Sequence, residues 1–192
     1  QTLLEQIEDA LRGGVTMVQL REKELPEDAF TAEAMEVKAL CHRYGVPLLI
    51  DDNVDVALKS GADGVHVGIE DTPVAEIRAR AGRDFIIGST AKTVEQARAA
   101  QAAGADYLGV GAVFPSPTKK NAVRITVEQL REICGSVTIP AVAIGGISLD
   151  NIRELCGGGM RGVAVISALF GADDIAGAAR ALKQEALSAV MR

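Results

Sequence analysis

Short apolar runs and longer amphipathic stretches alternate along this chain. The runs span 15–20, 47–50, 64–68, 85–88, 107–114, 141–146 and 162–169, are rich in Val and Ile, and are bounded by glycine. Continuous apolar runs of this length fit strands buried on both faces, as in a parallel sheet. Between them, 2–11, 27–44, 54–60, 74–81, 94–103, 127–134, 149–156 and 173–191 carry apolar positions at helical spacing. Thr93 stands as an N-cap, with Gln96 at the capping-box spacing. Ser148 and Asp150, beside Asn151, give a similar start signal. The phrase Gly-Ala-Asp occurs at 61–63 and 104–106, each time just before a strand, so Gly61 and Gly104 are expected to end helices.

Alternation of this kind predicts an α/β fold with parallel strands, a (β/α)8 TIM barrel over one domain, 1–192. Such a barrel begins with a strand, whereas this chain opens on the helix 2–11. The first β-strand is therefore expected to be missing from the chain. An open, doubly wound sheet is the alternative, although no Gly-x-Gly-x-x-Gly fingerprint follows any strand.

Composition narrows the function classes. Hydrophobic residues make up 48% of the chain, which supports a packed core rather than disorder. A formal net charge of -6 argues against general nucleic-acid binding, yet leaves room for a local phosphate pocket. Cys41, Cys134 and Cys156 match no zinc spacing and read as thiols of a reducing compartment. No apolar run reaches membrane-span length and no signal peptide opens the chain, so a cytoplasmic location is expected. A homo-oligomer is compatible with all of this.

In a parallel barrel the chemistry collects at strand C-termini. Gln19-Leu20-Arg21-Glu22-Lys23 follows the first apolar run, and alternation puts Gln19, Arg21 and Lys23 on one side. An amide and two cations suit a polar ring and an anion; an ordinary charged strand end is the plainer reading. Asp51-Asp52-Asn53 and Glu70-Asp71 end the next two runs, where hard oxygen ligands suit Mg2+. Helix N-capping by Asp explains either cluster equally well alone. Gly88-Ser89-Thr90-Ala91 can offer donors to phosphate or simply cap. The loop after 107–114 holds Pro115, Ser116, Pro117, Thr118, Lys119 and Lys120, and can present hydroxyls and a cation to an anion. Gly145-Gly146-Ile147 and Ile166-Ser167-Ala168 end the last two runs, where barrels often bind phosphate through backbone N–H groups. Together these describe two anion sites and one metal site on one face.

These stretches resemble the thiamine phosphate synthase family, over nearly the whole chain. The matches lie at 19–23, 61–68, 104–120, 143–147 and 166–168, in the family's order. The resemblance implies a Mg2+-dependent transferase of thiamine biosynthesis. It would join 4-amino-2-methyl-5-(diphosphooxymethyl)pyrimidine to a thiazole phosphate, releasing diphosphate by a dissociative path. It implies that Gln19, Leu20, Arg21, Glu22 and Lys23 face the pyrimidine diphosphate, with Asp51 and Thr90 beside it. Asp52 and Asp71 would be the Mg2+ carboxylates. Ser116, Pro117 and Thr118 would meet the thiazole phosphate and Lys119 the diphosphate. Gly146, Ile166 and Ser167 would cradle the thiazole phosphate. Arg21, Lys23 and Lys119 would supply positive charge where the leaving group develops negative charge.

The chain departs from the family pattern at Asp51, where Asn is common, at Thr90 for Ser, at Ile69 for Gln, and at Lys92 for His. A related thiazole tautomerase would need a basic His where this chain has Ala112. A non-catalytic phosphate-binding barrel would have no use for two metal carboxylates. His66 is expected inside the barrel in a hydrogen-bonded structural role, and His42 on the surface.

Overall fold

The computed structural model describes residues 1–116 and 121–192. Seven strands alternate with helices: β1 (Val18–Leu20), β2 (Leu48–Asp51), β3 (Gly64–Val67), β4 (Ile86–Ala91), β5 (Tyr107–Val110), β6 (Ala141–Ile144) and β7 (Gly162–Ala164). The α-helices are α1 (Leu3–Arg12), α2 (Glu27–Arg43), α3 (Val54–Ser60), α4 (Val74–Ala81), α5 (Val94–Ala103), α6 (Val127–Gly135), α7 (Ser167–Phe170) and α8 (Ile175–Met191). All strand pairs are parallel and follow chain order from β1 to β7.

The sheet curls strongly. The side chain of Gln19 on β1 reaches Tyr107 on β5, four strands away. A flat sheet would separate those strands by about 19 Å. The result is a TIM-like partial barrel. Among the described residues no strand lies beyond β1 or β7, so the expected eighth strand is not among them.

Leu48, Leu49 and Ile50 are all fully buried, which is why 47–50 reads as an unbroken apolar run. Val65, Ile87 and Leu108 continue the same layer on the neighbouring strands. Gly61 and Gly104 end α3 and α5 at φ 71 and 108, the left-handed conformation that glycine adopts without strain.

Several sequence expectations are corrected. Strand 85–88 continues to Ala91, so Ser89 and Thr90 belong to the strand. Run 162–169 is not one strand: β7 stops at Ala164 and Ser167–Phe170 turn into a helix. Segment 149–156 holds only the short 3-10 turn Ile152–Leu155. There the Asn151 side chain accepts from Ser148 N–H and donates to the Gly146 carbonyl, competing with a regular helix start. Thr93 does cap α5, but the Gln96 side chain accepts from Lys92 N–H rather than from the cap residue.

At the N-terminal ends of the strands Arg78 acts as a polar pin. Its guanidinium donates to the carbonyls of Gly82, Arg83, Phe85 and Gly104 and pairs with Asp106 at 2.7 Å. Burial pushes the Cys41 thiol up to about 11 and raises that of Cys134, so neither is a ready thiolate. Among the described residues no helix is long and apolar enough to cross a membrane.

Candidate active site

The site grows from the C-terminal ends of β1, β2 and β3. Leu20 points into the hydrophobic core, so alternation turns Gln19 and Arg21 to the opposite side. The chain then carries Lys23 over the end of β2. Lys23 Nζ lies 2.6 Å from Asp52 Oδ2 and 3.8 Å from Asp51 Oδ2, and Arg21 Nε lies 3.7 Å from Asp51 Oδ2. Glu22 turns instead to its own loop, accepting from Glu24 N–H.

Local backbone geometry aims the carboxylates. Asp52 is at φ 64, the one non-glycine with positive φ among the described residues, and its N–H donates to the His66 carbonyl. A left-handed residue at a strand end costs on the order of 1 kcal/mol, and Asp tolerates it better than most. The twist throws the Asp52 side chain toward Lys23 and Asp71. Asp71 accepts from Gly68 N–H at 2.6 Å, and its carboxyl comes against that of Asp52. A Cβ at position 68 would lie 2.8 Å from Asp71 Oδ2, so glycine lets that carboxylate sit over the backbone.

Neither acid caps a helix. Asn53 caps α3 by accepting from Val56 N–H, and Pro73 precedes α4 with no side-chain cap. The capping explanation therefore fails for Asp52 and Asp71.

Electrostatics splits the pair. Burial pushes the Asp52 carboxyl up, but the hydrogen bonds from Lys23 and Asp71 and the Lys23 and Arg21 charges outweigh it and hold it low. Asp71 moves the other way, raised first by burial and then by Asp52, with Gly68 N–H opposing. Lys23 is held above its ordinary value by its bond to Asp52. Two carboxylates in contact, one of them resisting ionisation, form a donor set that a dication would relieve. Among the described residues no group of three or more His, Cys, Asp or Glu could hold a metal by itself. A carboxylate pair completed by water and a substrate phosphate suits Mg2+.

Deeper inside, His66 Nδ1 lies 2.9 Å from the Tyr107 hydroxyl and His66 Nε2 lies 3.1 Å from Thr90 Oγ1. Tyr107 also meets Gln19, giving a polar chain across β1, β5, β3 and β4. Burial drives the Tyr107 hydroxyl well above its ordinary value, so it stays protonated. Tyr107 was not singled out from the sequence. The available signal was Gly88 and Gly109, glycines inside strands that mark close approach. A Cβ at Gly88 would collide with the Tyr107 ring, and one at Gly109 would lie 2.9 Å from His66 Cε1. His66 thus sits inside the curl, and His42 is at the surface with Asp63 at 2.8 Å.

On the far side, the chain after β5 lies against the turn after β6. Val113 N–H donates to the Ile144 carbonyl and Phe114 N–H to the Gly145 carbonyl. Gly146 has φ 61, and a Cβ there would strike the Pro115 carbonyl. This brings Ser116 and Gly146 to one region, with Ile166 and Ser167 at the start of α7 after the next strand. Pro117, Thr118 and Lys119 lie outside the described residues.

A parallel, curled α/β sheet with cations and carboxylates gathered at its strand C-termini defines a TIM-like protein with a polar strand-end site. Residues 1–169 match the family described as thiamine monophosphate synthase, and the chain belongs to that family. It is 47% identical over 182 residues to a thiamine-phosphate synthase of Ruminiclostridium cellulolyticum, covering 95% of this chain and 87% of that protein. It is 46% identical over 180 residues to one of Alkaliphilus oremlandii, covering 94% of this chain and 86% of that protein. The solved thiamine phosphate pyrophosphorylase of Pyrococcus furiosus superposes with a TM-score of 0.91 at 40% identity, covering 99% of this chain and 92% of that one.

Proposed function

We propose that this chain catalyses thiamine phosphate formation from a pyrimidine methyl diphosphate and a thiazole phosphate. The observation that carries the proposal is the Lys23–Asp52–Asp71 contact at the ends of β1 to β3, in a chain of this family. The C–O bond between the pyrimidine methylene and diphosphate breaks, and the thiazole nitrogen lone pair forms the new C–N bond. Diphosphate leaves with the electron pair of the broken bond. The nucleophile carries no proton to be removed, which fits a site whose half-buried His66 and Tyr107 are bound to each other.

Arg21 and Lys23 supply positive charge beside the leaving diphosphate. Asp52 and Asp71 would hold Mg2+, which when bound neutralises developing charge on diphosphate oxygens. Gln19, kept in place by Tyr107, offers its amide to the pyrimidine edge, and Thr90 sits next to it through His66. Asp51, between Arg21 and Lys23, orients both cations. Ser116, Thr118 and Gly146, with Ile166 and Ser167, bind the thiazole phosphate, and Lys119 the diphosphate. The chain acts as one domain over 1–192 on a (β/α)8-type barrel without its first strand, takes small-molecule substrates and works in a cytoplasmic setting.

A direct assay of thiamine phosphate with both substrates tests the proposal. Product is expected only with Mg2+. Asp52→Asn and Asp71→Asn should each lower turnover on the order of 100-fold or more. Turnover that is independent of Mg2+, or unchanged in both variants, overturns the metal and site assignments.

A further inference from the structure

Lys92 follows β4 and precedes the Thr93 cap of α5. Its ammonium donates to the Gly111 carbonyl at 2.9 Å and to the Val123 carbonyl at 3.4 Å. Those two carbonyls sit on opposite limbs of the long connection between β5 and α6. The limbs also meet directly, Ala112 N–H to the Val123 carbonyl at 3.3 Å and Ile125 N–H to the Ala112 carbonyl at 2.9 Å. Between them the chain carries Ser116, Thr118 and Lys119.

The returning limb has little apolar hold at its tip. Val123 is 66% exposed, and Ile125 is the next residue buried in the core. Polar contacts therefore fix the limb at 123. One of these comes from the Lys92 ammonium, whose shorter, part-buried charge-assisted bond is to the Gly111 carbonyl on the other limb. The base of Lys92 is itself fixed, because its N–H donates to the Gln96 side chain at 2.8 Å on the first turn of α5.

From this geometry we infer that Lys92 is a positioning residue that clamps the neck of the β5–α6 connection, holding together its two limbs at Gly111 and Val123. Its ammonium acts on two backbone carbonyls, one from each limb. Small errors in placing a binding group cost large factors in rate, so a clamp at the neck bears on Ser116, which follows the first limb. The kinetic part of this inference rests on the proposed synthase reaction; the clamp itself does not.

The test uses Lys92→Met, which keeps the stem and removes the donor, and Lys92→Arg, which keeps the donors. Lys92→Met should lower kcat/KM for the thiazole phosphate by about tenfold or more, and Lys92→Arg should stay within about threefold of wild type. Hydrogen exchange without substrates should quicken about fivefold or more at the Ala112, Val113 and Ile125 amides of Lys92→Met, with α5 unchanged. Wild-type kinetics and exchange in Lys92→Met overturn the inference. So does a loss that Arg fails to rescue, or one that spreads equally into α5. If the wild-type chain makes no thiamine phosphate, the proposed function falls, and the exchange comparison still decides the clamp.

Discussion

Lys23 Nζ and Asp52 Oδ2 meet at 2.6 Å although 29 positions separate them in the chain. The contact joins the loop after β1 to the end of β2, and it exists because Asp52 adopts φ 64 at that strand end. The same turn brings Asp52 against Asp71 beyond β3. Three strand ends thus meet in one charged cluster.

The two acids should titrate in opposite directions. Asp52 is held low, so its share of stability is present above the unfolded value and is lost as pH falls through the folded value. Asp71 is raised, so its ionisation opposes folding, and the penalty is relieved as pH falls through its folded value. In metal-free protein, carboxyl NMR should place the Asp71 midpoint above the ordinary 3.8. Added Mg2+ should lower that midpoint and release protons. Asp71→Asn should leave Tm no lower than wild type without metal, even as turnover collapses. A Tm drop of several degrees in that variant would count against the like-charge account.

The Tyr107–His66 contact gives a second expectation. Tyr107→Phe removes one partner from His66 Nδ1 and from Gln19, and should cost about 1 kcal/mol. That corresponds to a Tm fall of about 2–4 °C in thermal unfolding. Gly88→Ala forces a methyl group against the Tyr107 ring and should cost about 1–3 kcal/mol. In a Tyr107→Leu background the same Ala should cost much less; equal costs in the two backgrounds would rule out the steric origin.

Arg78 separates stability from activity. Arg78→Met strips the donors from four backbone carbonyls and from Asp106 at the end of the sheet opposite the site. Denaturant unfolding should show a loss of about 2–3 kcal/mol. At a temperature where the variant is folded, both KM values should match wild type. A raised KM would mean that this end of the sheet communicates with the site.

Much of the fold was legible because burial of parallel strands on both faces leaves a local mark. The runs at 47–50 and 64–68 coincide with β2 and β3 within a residue at each end. Helices at 54–60, 74–81 and 94–103 have the bounds observed. Less legible were 149–156 and 162–169, where Asn151 and the turn into α7 override a helix-like and a strand-like pattern. Those outcomes depend on which partner a side chain or carbonyl finds, and local periodicity carries no record of that.

The polar residues at strand ends were likewise visible in the sequence, since parallel topology alone sends Gln19, Arg21, Lys23, Asp52 and Asp71 to one face. Which of them touch was decided by the tertiary structure. Asn53, not Asp, caps α3, and that leaves Asp52 free to swing toward Lys23 and Asp71. The curl of the sheet brings Gln19 to Tyr107 across four strands and puts His66 between Tyr107 and Thr90. Order along the chain determined the elements and the face, because strand and helix burial are local patterns. Distances across the curl determined the site, because hydrogen bonds need groups within about 3 Å and charge pairs within about 4 Å, which only folding brings about.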